Sequence, residues 1–302
     1  MTDNDAQRSP RLMRSTEVSR ATGAAAAVAS ALDLPVDEAV VVHNSNLLAL
    51  RLLPCDVFAR VGRVGSRAVL PFEVDLAQQL ARVGAPVAAL DPRVEPWVYE
   101  RDGFAMTLWT YYESVRPSDE VPRDYASALH GLHLGLAQVD VAARHVTDRV
   151  ASAIETVMHS HRTGPGVDDD REFLASTLRD LGDRVAGSGS PEQLVHGEPH
   201  PGNVLATADG MRFIDLETCC RGPVEFDVAH TPEPVSAHYP DVNENLLAQC
   251  RGLVLAVAAA WRWDPSDELP NGQRAERALV GALRSGPPWP ALNTVMRRAG
   301  IP

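Results

Sequence analysis

The chain has 302 residues, enough at about 150 residues per domain for two domains or one two-lobed unit with a substantial core. Hydrophobic residues make up 45% and charged residues 23%, ordinary globular usage that excludes wholesale disorder and collagen-like or low-complexity chains. All 28 basic residues are Arg, set against 40 acids for a formal net charge of -12, which excludes chemistry built on a lysine amine and argues against a nucleic-acid partner.

Residues 1–14 are polar and Arg-rich and read as a flexible tail. From Ser15, the segment STEVSRATGAAAAVASALDLP has a Ser/Thr start, an alanine-rich interior and a Pro stop, the pattern of a helix. Its apolar run is weak and closely preceded by Glu17 and Arg20, unlike a signal peptide. Then come EAVVV, the turn HNSN, LLALRLL, the turn PCD and VFARVGRV, a meander of antiparallel strands. PFEVDLAQQLARVG opens on Pro71, spaces Phe72, Leu76, Leu80 and Val83 helically and closes on Gly84, so it is a helix. WVYE and FAMTLWTYY are strands around Asp102-Gly103.

From about Val115 long helical patterns dominate, broken by one island, LVHGEPHPGNVLATADGMRFIDLE, whose VLAT and MRFIDL form a short hairpin. The expected layout is α+β, with an N-lobe over 15–113 and a mainly helical C-lobe over 114–302. No stretch approaches the ~20 apolar residues of a membrane span, so no membrane partner is expected. Cys55, Cys219, Cys220 and Cys250 are too few for a disulfide scaffold, and a reducing cytoplasm is the expected location.

The island carries the chemistry. His196-Gly-Glu198-Pro-His200-Pro-Gly-Asn203 is a stiff, shaped loop, and the hairpin that follows returns on itself, bringing Asp215 at its end beside Asn203 at its start. Such an oxygen pair suits Mg²⁺, which takes one or two protein oxygens and completes its shell with water and phosphate. Glu198 in the same loop can accept the proton of an attacking hydroxyl, and together these are the parts phosphoryl transfer requires.

The runs VHGEPHPGNVL, FIDLE and GPVEFDVA resemble the signature of the aminoglycoside phosphotransferase and choline kinase family, relatives of protein kinases. The resemblance implies a protein-kinase-like two-lobed fold and transfer of the terminal phosphate of ATP or GTP to a small-molecule hydroxyl. His196, Gly197, Asn203, Asp215 and Glu217 match, whereas Glu198 stands where the family has Asp. It further implies Glu198 and His196 as the catalytic-loop pair, with His196 a stiffening hydrogen bonder, and Asn203, Asp215 and Glu217 as the metal group. Arg60 falls where the family holds nucleotide phosphates, Glu73 where it places the ion-pair partner, and TLWTYY resembles the hinge, with Trp109 as a candidate to flank the base or to pack in the core. No glycine lies between Gly23 and Gly62, so the turn with Asn44 and Ser45 is the remaining candidate to cover the phosphates.

Two rivals come from other classes. His196-Gly-Glu198 fits the first half of a zinc deaminase signature, but the adjacent Cys219 and Cys220 cannot supply its C-x-x-C half; zinc on His196, Glu198 and His200 is disfavoured by the prolines and by the Asn203/Asp215 pair. The other is a catalytically weak kinase-like protein that binds nucleotide or ligand, marked by the longer Glu198. For the acceptor, seven acids against the single base Arg221 between Asp215 and Asn245 favour a cationic, hydroxylated molecule such as an aminoglycoside, with a solvated acidic surface as the alternative.

Overall fold

The computed structural model describes residues 12–66, 69–115, 121–267 and 271–301. The tail expected over 1–14 falls outside them up to residue 11, while Met13 is buried at 4% exposure.

Helix α1 (Ser15–Ala31) buries Ala21, Ala24, Ala25, Val28 and Ala29 on one stripe, and these small side chains lay it close against a sheet. The sheet is β1 (Val36–Asn44), β2 (Leu48–Pro54), β3 (Val57–Arg63), β4 (Tyr99–Arg101) and β5 (Phe104–Thr110), antiparallel in the order β1-β2-β3-β5-β4. Side chains alternate across a strand, so Leu48, Leu50, Leu52, Val57, Ala59 and Val61 face α1 in one core. Arg60, between Ala59 and Val61 and paired across to Thr107, is thereby turned to the opposite face.

On that face lies α2 (Leu70–Arg82), opened by Pro71 and followed by Gly84 at φ 70°. Its buried stripe includes Glu73, Val74, Leu76, Ala77 and Leu80. Leu76, Ala77 and Leu80, with Trp109, belong to the larger core they share with the C-terminal helices, so α2 joins the two lobes.

The second lobe contains α3 (Val121–Leu136), α4 (Val146–His159), α5 (Val167–Ala186), α6 (Val224–His230), α7 (Glu233–Ser236), α8 (Glu244–Trp261), α9 (Gly272–Arg284) and α10 (Leu292–Arg298). Helix α8 is apolar nearly all round, with Leu246, Leu253, Leu255, Val257 and Ala260 among its buried residues, which makes it the central helix of the lobe. The island contributes β6 (Gln193–Val195) and the hairpin β7 (Val204–Thr207) with β8 (Gly210–Phe213). A further strand, β9 (Cys220–Gly222), pairs with β6; three residues each are too short to show a period, which is why the sequence does not announce them. The hairpin docks on the segment after α2, where Phe213 N donates to Pro86 O (2.8 Å) and Ala88 N to Phe213 O (2.9 Å).

Candidate active site

The loop between β6 and β7 is held from beneath. Asp227 of α6, fully buried, accepts from the backbone N–H of His196 and of Gly197 (2.7 Å each) and from His133 Nε2 (2.8 Å). Burial opposes its charge, but these donors outweigh it and keep the carboxyl below the usual range. His196 is itself fully buried, with Nε2–H donated to Ile214 O (2.9 Å) and Nδ1 accepting from Glu198 N (3.3 Å). Burial lowers its pKa, so the neutral ring ties the loop to the end of the hairpin and has no surface to offer a substrate. Tyr125 OH donates to Pro199 O (2.6 Å).

Gly197 has φ 89°, and a Cβ there would stand 2.1 Å from Thr218 O and 2.9 Å from Arg149 Nη1. The loop therefore lies pressed on the segment after β8, an approach only glycine permits. Asn203 Nδ2 donates to Glu198 O (3.0 Å), which leaves Oδ1 as the free end of the amide, and Ile214 N donates to Asn203 O (3.0 Å), so the two ends of the hairpin do meet.

Asp215 follows at φ 68°, ψ 49°, a left-handed conformation that Asp tolerates better than most side chains. Its carboxylate pairs with Arg60 Nη2, while Arg60 Nη1 pairs with Glu73, and Glu217 lies 3.7 Å from the same guanidinium. Glu73 Oε1 also accepts from Leu216 N (3.2 Å), and its Oε2 is buried without a partner. Burial works against the charge on Arg60, but the three carboxylates outweigh it and hold its proton more tightly than usual. Burial raises the pKa of Glu217, with Asp215 adding to the shift. Burial and the neighbouring Asp215 raise the pKa of Glu73 as well, so three acids crowded around one guanidinium oppose one another's ionisation, a repulsion that a divalent cation would relieve. The oxygens of Asn203 and Asp215 with Glu217 alongside are the hard donor set that magnesium takes.

Glu198 has a different partner. Its Oε1 pairs with Arg149 Nη2 of α4, and Arg149 Nη1 donates to Thr218 O (3.2 Å). Burial opposes ionisation, but Arg149, with His230 and His200 behind it, holds the carboxyl below its ordinary value. The sequence reading missed Arg149, although its signal is present: a charge on the stripe otherwise formed by Val146, Val150, Ala153 and Val157.

Other expected residues are placed elsewhere. Asn44 donates Nδ2 to Met13 O (2.9 Å) and accepts Met13 N (3.0 Å), so its amide anchors the chain entering α1; Ser45 Oγ turns to Leu47 O (3.5 Å). The turn stands beyond Arg60 along the sheet, since Leu48 pairs with Val61. Trp109 is 5% exposed, its indole N–H donated to Thr107 Oγ1 (2.8 Å), and it packs in the core. Of the seven acids, Glu225 is buried on Asn243 N (3.1 Å), and Glu233 is exposed with an oxygen on Ala291 N (3.0 Å). Asp241 and Glu244 are exposed as well, and lie beyond the cluster and the loop.

Burial pushes the Cys220 thiol up to about 12 and the Cys219 thiol upward too, and among the described residues no group of three or more His, Cys, Asp or Glu is arranged to hold a metal. Among the described residues, no helix is long and apolar enough to cross a membrane. A pocket of about 710 Å³ lies against Ala77, Gln78 and Ala81 of α2, beside Asp91 and Arg93, and none of the site residues lines it.

No curated protein matches the sequence. Among solved structures, an amicoumacin kinase in complex with AMP-PNP, Ca²⁺ and Ami superposes with a TM-score of 0.70 at 10% identity, covering 93% of this chain and 100% of that one. The choline kinase LicA from Streptococcus pneumoniae gives 0.63 at 15% identity, over 86% and 98%. An aminoglycoside-3'-phosphotransferase of type VIII gives 0.56 at 22% identity, over 78% and 98%. These are likenesses of fold, and they confirm the two-lobed kinase-like layout. The model of the phosphotransferase enzyme family matches residues 48–268, a span from β2 through α8 that takes in the whole cluster around Arg60 as well as the loop beneath it, so the chain belongs to that family.

Proposed function

We propose that this phosphotransferase moves the terminal phosphate of ATP or GTP to a hydroxyl of a small molecule, with Glu198 as the base. The observation that carries the reading is convergence: Arg60 and Glu73 from the first lobe meet Asp215 and Glu217 from the second, beside the loop that holds Glu198 and Asn203. Asn203, Asp215 and Glu217 would hold Mg²⁺, which when bound supplies charge neutralisation for the phosphates. Arg60 offers a planar fork for phosphate oxygens. In the transfer, the acceptor oxygen bonds to the terminal phosphorus as the bridging oxygen–phosphorus bond breaks, and Glu198 takes the hydroxyl proton while the nucleoside diphosphate leaves.

Glu198 retains a carboxylate, 30% exposed, and its pKa stays low, so it is ionised and able to accept a proton at neutral pH. That favours an enzyme over a silent binder. For the acceptor, the exposed Asp241 and Glu244 support a hydroxylated cation, with an aminoglycoside-like molecule among the candidates. The test is a nucleotide-consumption screen with Mg²⁺ against hydroxylated antibiotics, sugars and amino-alcohols, confirmed by the mass of one phosphoryl group gained on the acceptor. Binding of Mg²⁺–nucleotide without consumption on any acceptor or on water would overturn it in favour of the silent binder.

A further inference from the structure

Arg149 lies on the buried face of α4 at 4% exposure, with Val150 beside it and Phe226 5.9 Å from its guanidinium carbon. A charged side chain there is costly to keep, and its Nε has no partner. Its two terminal nitrogens are nevertheless both engaged, one on Glu198 Oε1 and one on Thr218 O.

The backbone at Glu198 is already fixed. Gly197 lies so close on the next segment that a Cβ would collide with Thr218 O and Arg149 Nη1, Glu198 N is held by His196 Nδ1, and Glu198 O accepts from Asn203. What remains free is the side chain itself, one methylene longer than an aspartate. Arg149 is the group that removes that freedom. It takes Oε1 and leaves Oε2 without a partner among the described residues, on a side chain 30% exposed. Through Thr218, three residues past Asp215, it also ties the carboxylate to the segment carrying the metal group.

We propose that Arg149 is a positioning residue for phosphoryl transfer: it draws in the longer Glu198 side chain and fixes one carboxylate oxygen, so that the other meets the acceptor hydroxyl. The inference rests on Glu198 being the base. In this arrangement Arg149 and Glu198 are a matched pair, the arginine compensating for the glutamate.

The test uses the full chain with Mg²⁺ and ATP, water serving as acceptor and phosphate release as the signal, so that no identified alcohol is needed. Arg149→Met lowers kcat by about 10- to 100-fold with KM for ATP within about twofold, because a reacting group misplaced by about 1 Å can cost ~10²-fold. In a Glu198→Asp background, where the shorter carboxylate no longer reaches the guanidinium, the same substitution costs less than about threefold. A purely structural arginine would give the same penalty in both backgrounds, and that result overturns the proposal, as does an undiminished kcat in Arg149→Met. Should Arg149→Met not fold, Arg149→Lys keeps the charge without the fork and is expected to lose kcat about 3- to 10-fold; full turnover there is equally fatal. Glu198→Gln separates the two levels: undiminished phosphate release in that variant removes the base itself, whatever Arg149 does.

Discussion

Replacing Gly197 with alanine tests how tightly the loop that carries Glu198 is registered against the segment after β8. The cost has two parts that the structure separates. At φ 89° an alanine carries the left-handed penalty of roughly 1–2 kcal/mol. Its Cβ would also stand 2.1 Å from Thr218 O, and real Cβ contacts stay above 3.0 Å, so the loop or the Thr218 carbonyl must retreat by nearly 1 Å. Overpacking of that kind costs typically 1–3 kcal/mol, for a total of about 2–5 kcal/mol. Gly103, in the turn between β4 and β5, has φ 85° and open space for 4 Å around the place a Cβ would take, so Gly103→Ala carries only the first part. Denaturant melts of both variants should therefore differ by about 1–3 kcal/mol. Turnover should split further: the forced displacement moves Glu198 relative to Asp215 and lowers kcat about 10²-fold in Gly197→Ala, while Gly103→Ala stays within about twofold. Equal destabilisation in the two variants, with turnover preserved in Gly197→Ala, would refute the close registration of loop and segment.

Asp215→Asn keeps a side chain that accepts the left-handed backbone, so the fold should survive while the Mg²⁺-dependent thermal shift with ATP or GTP disappears; a shift equal to wild type would move the metal elsewhere. Arg60→Met leaves the buried Glu73 without its cation and should cost about 3–5 kcal/mol in a denaturant melt, with Arg60→Met/Glu73→Gln recovering at least half of that stability but not turnover. His230 is buried, which lowers its pKa to about 4 against 6.5 for an unfolded chain. The unfolded state therefore binds the proton first, and stability, complete above pH 6.5, falls between 6.5 and 4 by on the order of 3 kcal/mol; His230→Gln should flatten this loss, and a parallel profile would count against it.

The sheet and long helices were legible because their periods are: Leu48, Leu50 and Leu52 alternate on β2, and Leu76 and Leu80 recur on α2. The approach of Asn203 to Asp215 is legible for a different reason, since they are the two ends of one hairpin and local sequence closes it. Residues whose partners lie far off in sequence were read less well. Nothing near Asn44 in the sequence reveals that Met13 claims both ends of its amide. Trp109 could pack or stack on the same pattern, and only the assembled core, with Thr107 taking its N–H, puts it inside.

Arg149 was hidden by the same distance, 49 positions from Glu198, and its relation to Arg60 explains how a chain without lysine is assembled at this site. Each guanidinium uses its two terminal nitrogens on two different elements. Arg60 joins Glu73 of α2 to Asp215 after the hairpin, and Arg149 joins Glu198 of the loop to Thr218 of the next segment. A lysine ammonium at either place is a compact point charge on one flexible stem and lacks the fixed separation between donors that spans two elements at once. The fork thus does two things that a lysine does less well: it compensates carboxylate charge and it sets the distance between the groups it holds. For Arg60 that distance is between the lobes, and for Arg149 it is between Glu198 and the segment after β8. Arginine-to-lysine exchange at either position is therefore a geometric change even though the charge is kept, and the two positions fail in different observables: nucleotide KM together with kcat at Arg60, and kcat alone at Arg149.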